Sequence, residues 1–197
     1  MMDGLFREMK ACAEAQRLPI LRDSELPLFE GILASCRPKR ILEIGTCIGY
    51  SALHMAPFLT DGGTITTIEL DQARYEAACG FFARSPYKEV ITALCGDGTE
   101  LAATLPGPWD FVFLDGPKGQ YVRQVRSLLP KLEKGALIVA DNIRYHDMFY
   151  LKGTLPHKHR TAVTRLREFM DLVEDREHFE TVFFENGDGM TVSQWKG

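Results

Sequence analysis

Short apolar runs alternate with segments of helical spacing along most of the chain. RILEI (40–44) is fit for a buried strand, and SALHMAPFL (51–59) has the spacing of a helix. A DGG turn (61–63) leads into TITTIEL (64–70), rich in β-branched residues, and DQARYEAACGFFARS (71–85) is again helical. EVITALCGD (89–97) predicts a third strand, TELAATL (99–105) a short helix and WDFVFLD (109–115) a fourth strand. YVRQVRSLLPKLEKG (121–135) predicts a helix closed by its glycine, and ALIVADN (136–142) a fifth strand. Strands alternating with helices in this way predict a doubly wound, mostly parallel α/β sheet.

Both ends of the chain depart from the alternation. Residues 1–20 predict a short amphipathic helix, and Ser24 is placed to cap a second helix through ELPLFEGILASC (25–36). HRTAVTRLREFMDLVEDR (159–176) is helical, with Ala162, Val163, Leu166, Phe169 and Met170 on one face. FETVFFE (179–185), the turn NGDG and MTVSQW (190–195) predict a hairpin, making the last of seven strands antiparallel. The connection 143–158 is too long for a mere link, and such loops tend to carry function. At 197 residues one domain is expected, with N-terminal helices over 1–36 and an α/β core over 37–197.

Composition narrows the function classes. The net charge of −4 gives no support to a dedicated nucleic-acid coat. No run approaches the roughly 18 apolar residues that span a bilayer. The charged N-terminus lacks a signal-peptide core, so a cytoplasmic protein without membrane attachment is expected. Five cysteines without a CxxC pair predict reduced, buried thiols rather than a disulfide framework or a zinc site.

Candidate chemistry gathers at the carboxyl ends of the predicted strands, where open α/β sheets bind ligands. EIGTCIGYS (43–51) holds Gly45 and Gly49, which allow a sharp turn and close backbone approach, with Ser51 at the following helix start. Its GxxxG spacing is neither the GxGxxG of dinucleotide folds nor a phosphate-gripping GK[ST] loop. Glu69 ends the next strand, placed to accept two ribose hydroxyls, and Asp97 closes the third, facing an adenine amino group. These acids with the glycine turn predict a nucleoside pocket. Asp115 and the pair Asp141–Asn142 end two further strands. Two carboxylates and an amide carbonyl suit a hard divalent cation, Mg²⁺ above all.

The ordered set EIGTCIGYS, IEL, GDG, LDGPKGQY and ADN resembles the class I S-adenosylmethionine (SAM)-dependent methyltransferases. Within them it resembles the metal-dependent O-methyltransferase branch that includes catechol and caffeoyl-CoA O-methyltransferases. The resemblance implies a Rossmann-like fold, SAM as cofactor, Mg²⁺ (or Mn²⁺ or Ca²⁺) and a homodimer that uses the N-terminal helix, which has little to pack against in the core sheet. It places cofactor contacts at Glu43, Gly45, Thr46, Cys47, Gly49, Tyr50 and Ser51, at Glu69, at Asp97 with Gly98, and at Asp115. It assigns the metal to Asp115, Asp141 and Asn142, and the general base to Lys118, its pKa lowered by the metal.

Two acceptor classes follow. The loop 143–158 and the helix start after it, expected over the metal, hold Arg144, Lys152, Lys158, Arg160, Arg165 and Arg167. YLKG followed by HRTAVTRLREF resembles bacterial members that methylate 5-hydroxyuridine in tRNA. On that reading the basic residues meet phosphates, and Tyr145, Phe149 or Tyr150 stacks on a base. Arg144, Tyr145, Lys152 and Arg160 are then the expected acceptor contacts. The alternative acceptor is a small hydroxylated aromatic, a catechol or phenylpropanoid. A non-catalytic cofactor-binding module is the rival from another class, against which the Asp115/Lys118/Asp141/Asn142 set speaks.

Overall fold

The computed structural model describes residues 2–145, 147–151, 153, 155–185 and 187–197. Contacts divide the chain into two compact units, Met1–Asp97 and Gly98–Gly197. The helices of residues 1–36 thus belong with the first three strands rather than standing apart from a core.

In the first unit, helices α1 (Met2–Gln16) and α2 (Leu26–Cys36) precede β1 (Arg40–Ile44), α3 (Tyr50–Met55), β2 (Thr64–Glu69), α4 (Gln72–Ala83) and β3 (Ile91–Cys95). β2 pairs in parallel with both β1 and β3, with Ile44 opposite Ile68 and Glu69 opposite Cys95. β-branched Ile and Thr dominate β2, where they pack well on a pleated surface. Ile41, Leu42, Ile65 and Ile68 are all buried, as parallel strands covered on both faces require. Asp71 caps α4 by accepting the Arg74 amide at 2.9 Å.

In the second unit, α5 (Gly98–Thr104), β4 (Trp109–Leu114), α6 (Tyr121–Leu128), β5 (Leu132–Ala140) and α7 (His157–Val173) lead to the hairpin β6 (Phe179–Phe184) and β7 (Met190–Trp195). β4 and β5 are parallel, β5 and β7 antiparallel, and β6 and β7 antiparallel. The apolar face of α7 buries Val163, Leu166, Phe169, Met170 and Val173. With seven strands and seven α-helices among the described residues, four of the helices in the first unit and three in the second, and with its antiparallel end, the chain is a Rossmann-like α/β protein. No helix among the described residues is long and apolar enough to cross a membrane.

Several sequence expectations need correction. Ser24 is not the cap of α2: Glu25 holds that position, its carboxylate accepting the Arg22 amide at 2.9 Å. The helix expected over 121–135 stops at Leu128, because Pro130 has no amide hydrogen to continue it. LEKG then belongs to β5, with Gly135 at φ 89° inside the strand. The five thiols are not buried as a group; Cys36 and Cys95 are exposed and the other three half-buried.

The N-terminal helix also has a partner. α1 buries Leu5, Met9 and Ala13. Its Phe6 ring stacks on His54 at 4.2 Å and meets Tyr50 edge-on at 5.5 Å. Glu8 and Arg84 form a two-pronged ion pair with contacts of 2.9 and 2.8 Å. α1 therefore lies against the helix that follows the glycine turn. His54 Nδ1 is 2.7 Å from Glu30, while its buried Nε2 has no hydrogen-bond partner.

Burial holds the His54 pKa below its ordinary value, against the opposing pull of Glu30. The unfolded chain takes up this proton near pH 6.5 and the folded chain only at lower pH, so stability falls as pH falls through that window. His54→Gln is expected to shrink the drop in urea midpoint between about pH 7 and pH 5 relative to wild type; equal drops in both proteins would contradict this assignment.

Candidate active site

The glycine turn is held from below by a buried relay. Thr46 Oγ1 lies 2.5 Å from Thr67 Oγ1, which donates to Glu43 Oε2 at 2.5 Å. The Ser51 hydroxyl donates to the other Glu43 oxygen. Glu43 is fully buried, and such a carboxylate is tolerated only where charge-assisted hydrogen bonds replace water. Glu43 and Ser51 thus brace the turn, locking the end of β1 to β2 and to the first turn of α3.

Above this brace the backbone needs its glycines. Gly45 has φ 110° and donates to the Ile68 carbonyl at 2.9 Å; Gly49 has φ 86° and donates to the Thr46 carbonyl at 2.8 Å. A Cβ on Gly49 would fall 2.4 Å from the Phe82 ring, so this glycine admits a helix-borne aromatic. Cys47, at φ 51°, turns its amide toward Glu69 Oε2 at 2.7 Å, and Glu69 Oε1 accepts the Asp71 amide at 2.9 Å. Glu69 is orientated by two backbone donors and keeps lone pairs for further ones. Tyr50 is buried beneath Phe6, and burial raises its pKa. Asp97 is exposed and Gly98 begins α5.

The second unit carries the other acids. Leu114, the last residue of β4, is in register with Ala140, the last of β5. Asp115 and Asp141 follow directly, so parallel pairing sets their Cα atoms on neighbouring strands roughly 5 Å apart. The Asp141 amide donates to the Leu114 carbonyl at 3.1 Å. Asp141 is buried, its Oδ1 accepting the amide of Asn142, which stands at φ 57° in the left-handed region that asparagine tolerates.

Lys118 returns to this pair through a 3₁₀ turn, Lys118–Gln120, opened by Pro117. Its Nζ is 3.1 Å from Asp115 Oδ1, with side chains 12% and 19% exposed. Burial works against the charge on Lys118, but Tyr121, Asp115 and Asp141 outweigh it and hold the pKa above the ordinary lysine value. Lys118 is thus held as an ammonium ion paired with Asp115.

The basic cluster is largely committed to the protein itself. The Arg144 guanidinium donates to Asp147 and, at 2.7 Å, to the Glu185 carbonyl of the hairpin turn. Arg167 donates to the carbonyls of Phe149 at 2.9 Å and Leu151 at 2.6 Å, and Arg165 pairs with Glu168. The Tyr145 hydroxyl is 3.3 Å from His159 Nδ1. Arg160 and Lys158 are exposed, and Lys152 lies outside the described residues. Sequence reading missed these carbonyl clamps because charge counting does not see main-chain acceptors.

A hard divalent cation fits the Asp115, Asp141 and Asn142 donor set, which offers oxygen only. Among the described residues, three potential ligand side chains from His, Cys, Asp or Glu come within 4.8 Å of one another only at Asp175, Glu177 and His178. All three are exposed on a surface turn, with His178 Nδ1 already 2.8 Å from Asp175. That cluster lacks the buried strand-end setting of the Asp115–Asp141 pair.

The first unit thus carries the glycine turn with Glu69 at the end of β2, and the second carries the paired strand-end carboxylates. The chain belongs to the O-methyltransferase family, whose model matches residues 8–196. Transfer of a methyl group from SAM to oxygen is accordingly its reaction class. The chain is 26% identical to a caffeoyl-CoA O-methyltransferase of Populus kitakamiensis, over 96% of this chain and 86% of that protein. A catechol O-methyltransferase of Niastella koreensis is 31% identical, over 72% of this chain and 66% of that one. The structure of the O-methyltransferase TomG from Streptomyces achromogenes, in complex with SAM, superposes with a TM-score of 0.86 at 22% identity, covering 98% and 90% of the two chains.

If Glu43 braces the turn, Glu43→Ala leaves the Ser51 hydroxyl without its acceptor, while Thr67 keeps Thr46. At about 1–3 kcal/mol for a buried donor left unmatched, urea unfolding without cofactor is expected to show a loss of roughly 1–3 kcal/mol. An unchanged unfolding free energy would contradict the bracing role.

Proposed function

We propose that this enzyme methylates one hydroxyl of a small aromatic acceptor whose neighbouring carbon carries a second oxygen. Asp115, Asp141 and Asn142 hold a divalent cation, and Lys118 is the base. The observation that carries this reading is the matched register that sets Asp115 and Asp141 side by side, with Lys118 folded back onto them. Glu69 would hold the ribose hydroxyls of SAM, and the turn Gly45–Gly49 would allow the close backbone approach that this cofactor needs.

The cation would supply positive charge that lowers the pKa of an acceptor hydroxyl and offsets the two carboxylates that keep Lys118 protonated. Lys118, once neutral, takes the hydroxyl proton. The acceptor oxygen forms its bond to the methyl carbon as the carbon–sulfur bond breaks, with that electron pair staying on sulfur. Asp115 and Asp141 fix the positions from which the attack proceeds, and positioning supplies much of the rate.

Names among the relatives, caffeoyl-CoA and catechol O-methyltransferase, support a small phenolic acceptor. The engagement of Arg144, Arg165 and Arg167 with the protein's own carbonyls and acids supports it further, since it removes three of the cations expected to meet phosphates. Exposed Lys158 and Arg160 are what favours the second reading, 5-hydroxyuridine in tRNA. The apolar face of α1 is buried within its own unit.

The test supplies methyl-labelled SAM with a catechol or with tRNA carrying 5-hydroxyuridine, in Mg²⁺ or in EDTA. Label is expected on the catechol and only with Mg²⁺. Label on the tRNA alone would replace the acceptor class, and transfer that survives EDTA would remove the cation. Lys118→Ala is expected to lower turnover by about 10²–10⁴-fold with SAM affinity retained; near-normal turnover would exclude Lys118 as the base.

A further inference from the structure

One buried phenol joins the two strand ends that carry the acids, and the chemistry proposed above gives it no part. Tyr121, the first residue of α6, is fully buried. Its hydroxyl lies 2.9 Å from the Leu114 carbonyl and 3.2 Å from the Asp141 carbonyl, donating its single proton between them. Leu114 immediately precedes Asp115, and its carbonyl also accepts the Asp141 amide. The phenol thus spans β4 and β5 at the rung directly below the paired carboxylates.

The ring is itself held on two sides. Phe169 of α7 meets it edge-on with centroids 5.5 Å apart, and Lys118 Nζ stands 5.4 Å from its centroid. A hydroxyl carried on so fixed a ring is a spacer of set length between two main-chain carbonyls. The Asp141 amide bond to Leu114 ties the same two ends at this level.

We propose that Tyr121 is a positioning residue: its hydroxyl sets the separation of Asp115 and Asp141 and so tunes the site toward small divalent cations. The proposal rests on the cation reading above. Mg²⁺ demands near-ideal octahedral geometry and short metal–oxygen distances, whereas Ca²⁺ accepts longer and irregular ones. A loosened pair of strand ends therefore penalises Mg²⁺ more than Ca²⁺. A purely structural role in folding would not distinguish the two ions.

Tyr121→Phe keeps the ring and its contact with Phe169, and removes the hydroxyl together with the hydrogen bond it shares with Lys118. Calorimetric titration of the full-length, SAM-saturated protein with Mg²⁺ and with Ca²⁺ tests it, with SAM affinity and the melting temperature recorded on each variant. The expected result is a Mg²⁺ dissociation constant raised about 10–100-fold, the range for groups that orient metal ligands, a clearly smaller change for Ca²⁺, and unchanged SAM affinity. Wild-type binding of Mg²⁺ that Tyr121→Phe leaves unaltered, or equal losses for both ions, overturns the proposal while leaving the cation reading intact. Failure of the wild type to bind either ion overturns the cation reading, and the proposal with it.

Discussion

Parallel pairing of β4 with β5 is the constraint on which the chemistry of the second unit depends. Its register sets Leu114 beside Ala140, and every polar group beyond that rung inherits its place from it. Two carboxylates so close together repel, and that repulsion must be relieved by something positive. Relief comes from Lys118, which a short turn after Pro117 carries back to Asp115. The arrangement is poised: the lysine that balances the acids is also the group proposed to take a proton once another cation balances them.

The first unit solves a different problem with the same economy of parts. A carboxylate buried at the end of β1 is matched by hydroxyls from β2 and α3, which braces the turn above it. Glu69 is orientated by the Cys47 amide of that turn and by the amide of Asp71. Rigid elements thus carry both sets of acids, the condition under which positioning contributes most to rate. α1 adds a further layer on the first unit, through Phe6 on Tyr50 and His54.

Much of this was legible from residue order. RILEI has the same bounds as β1, the hairpin lies where the NGDG turn placed it, and the strand-end acids fall where the alternation ends each strand. The start of β5 was not legible: Leu132, Glu133 and Lys134 continue a helical spacing, and only the missing amide of Pro130 marks the break. Glu43 and Ser51 carried the signature of ligand contacts, yet burial spends them on each other and on Thr67. Arg144 and Arg167 looked like free cations for an anionic acceptor because their partners are main-chain carbonyls, which no side-chain pattern reveals. Tyr121 sat unremarked within LDGPKGQY, since a buried hydroxyl acts only through the carbonyls that folding brings to it.

The central claim is that the matched strand ends form a divalent-cation site. Crystals grown with SAM and soaked in Mn²⁺ test it most directly through the anomalous signal of the ion. The account predicts one strong peak bounded by Asp115, Asp141 and Asn142, with Lys118 released from Asp115. A peak confined to the exposed Asp175, Glu177 and His178 turn, or no peak at all, would contradict it.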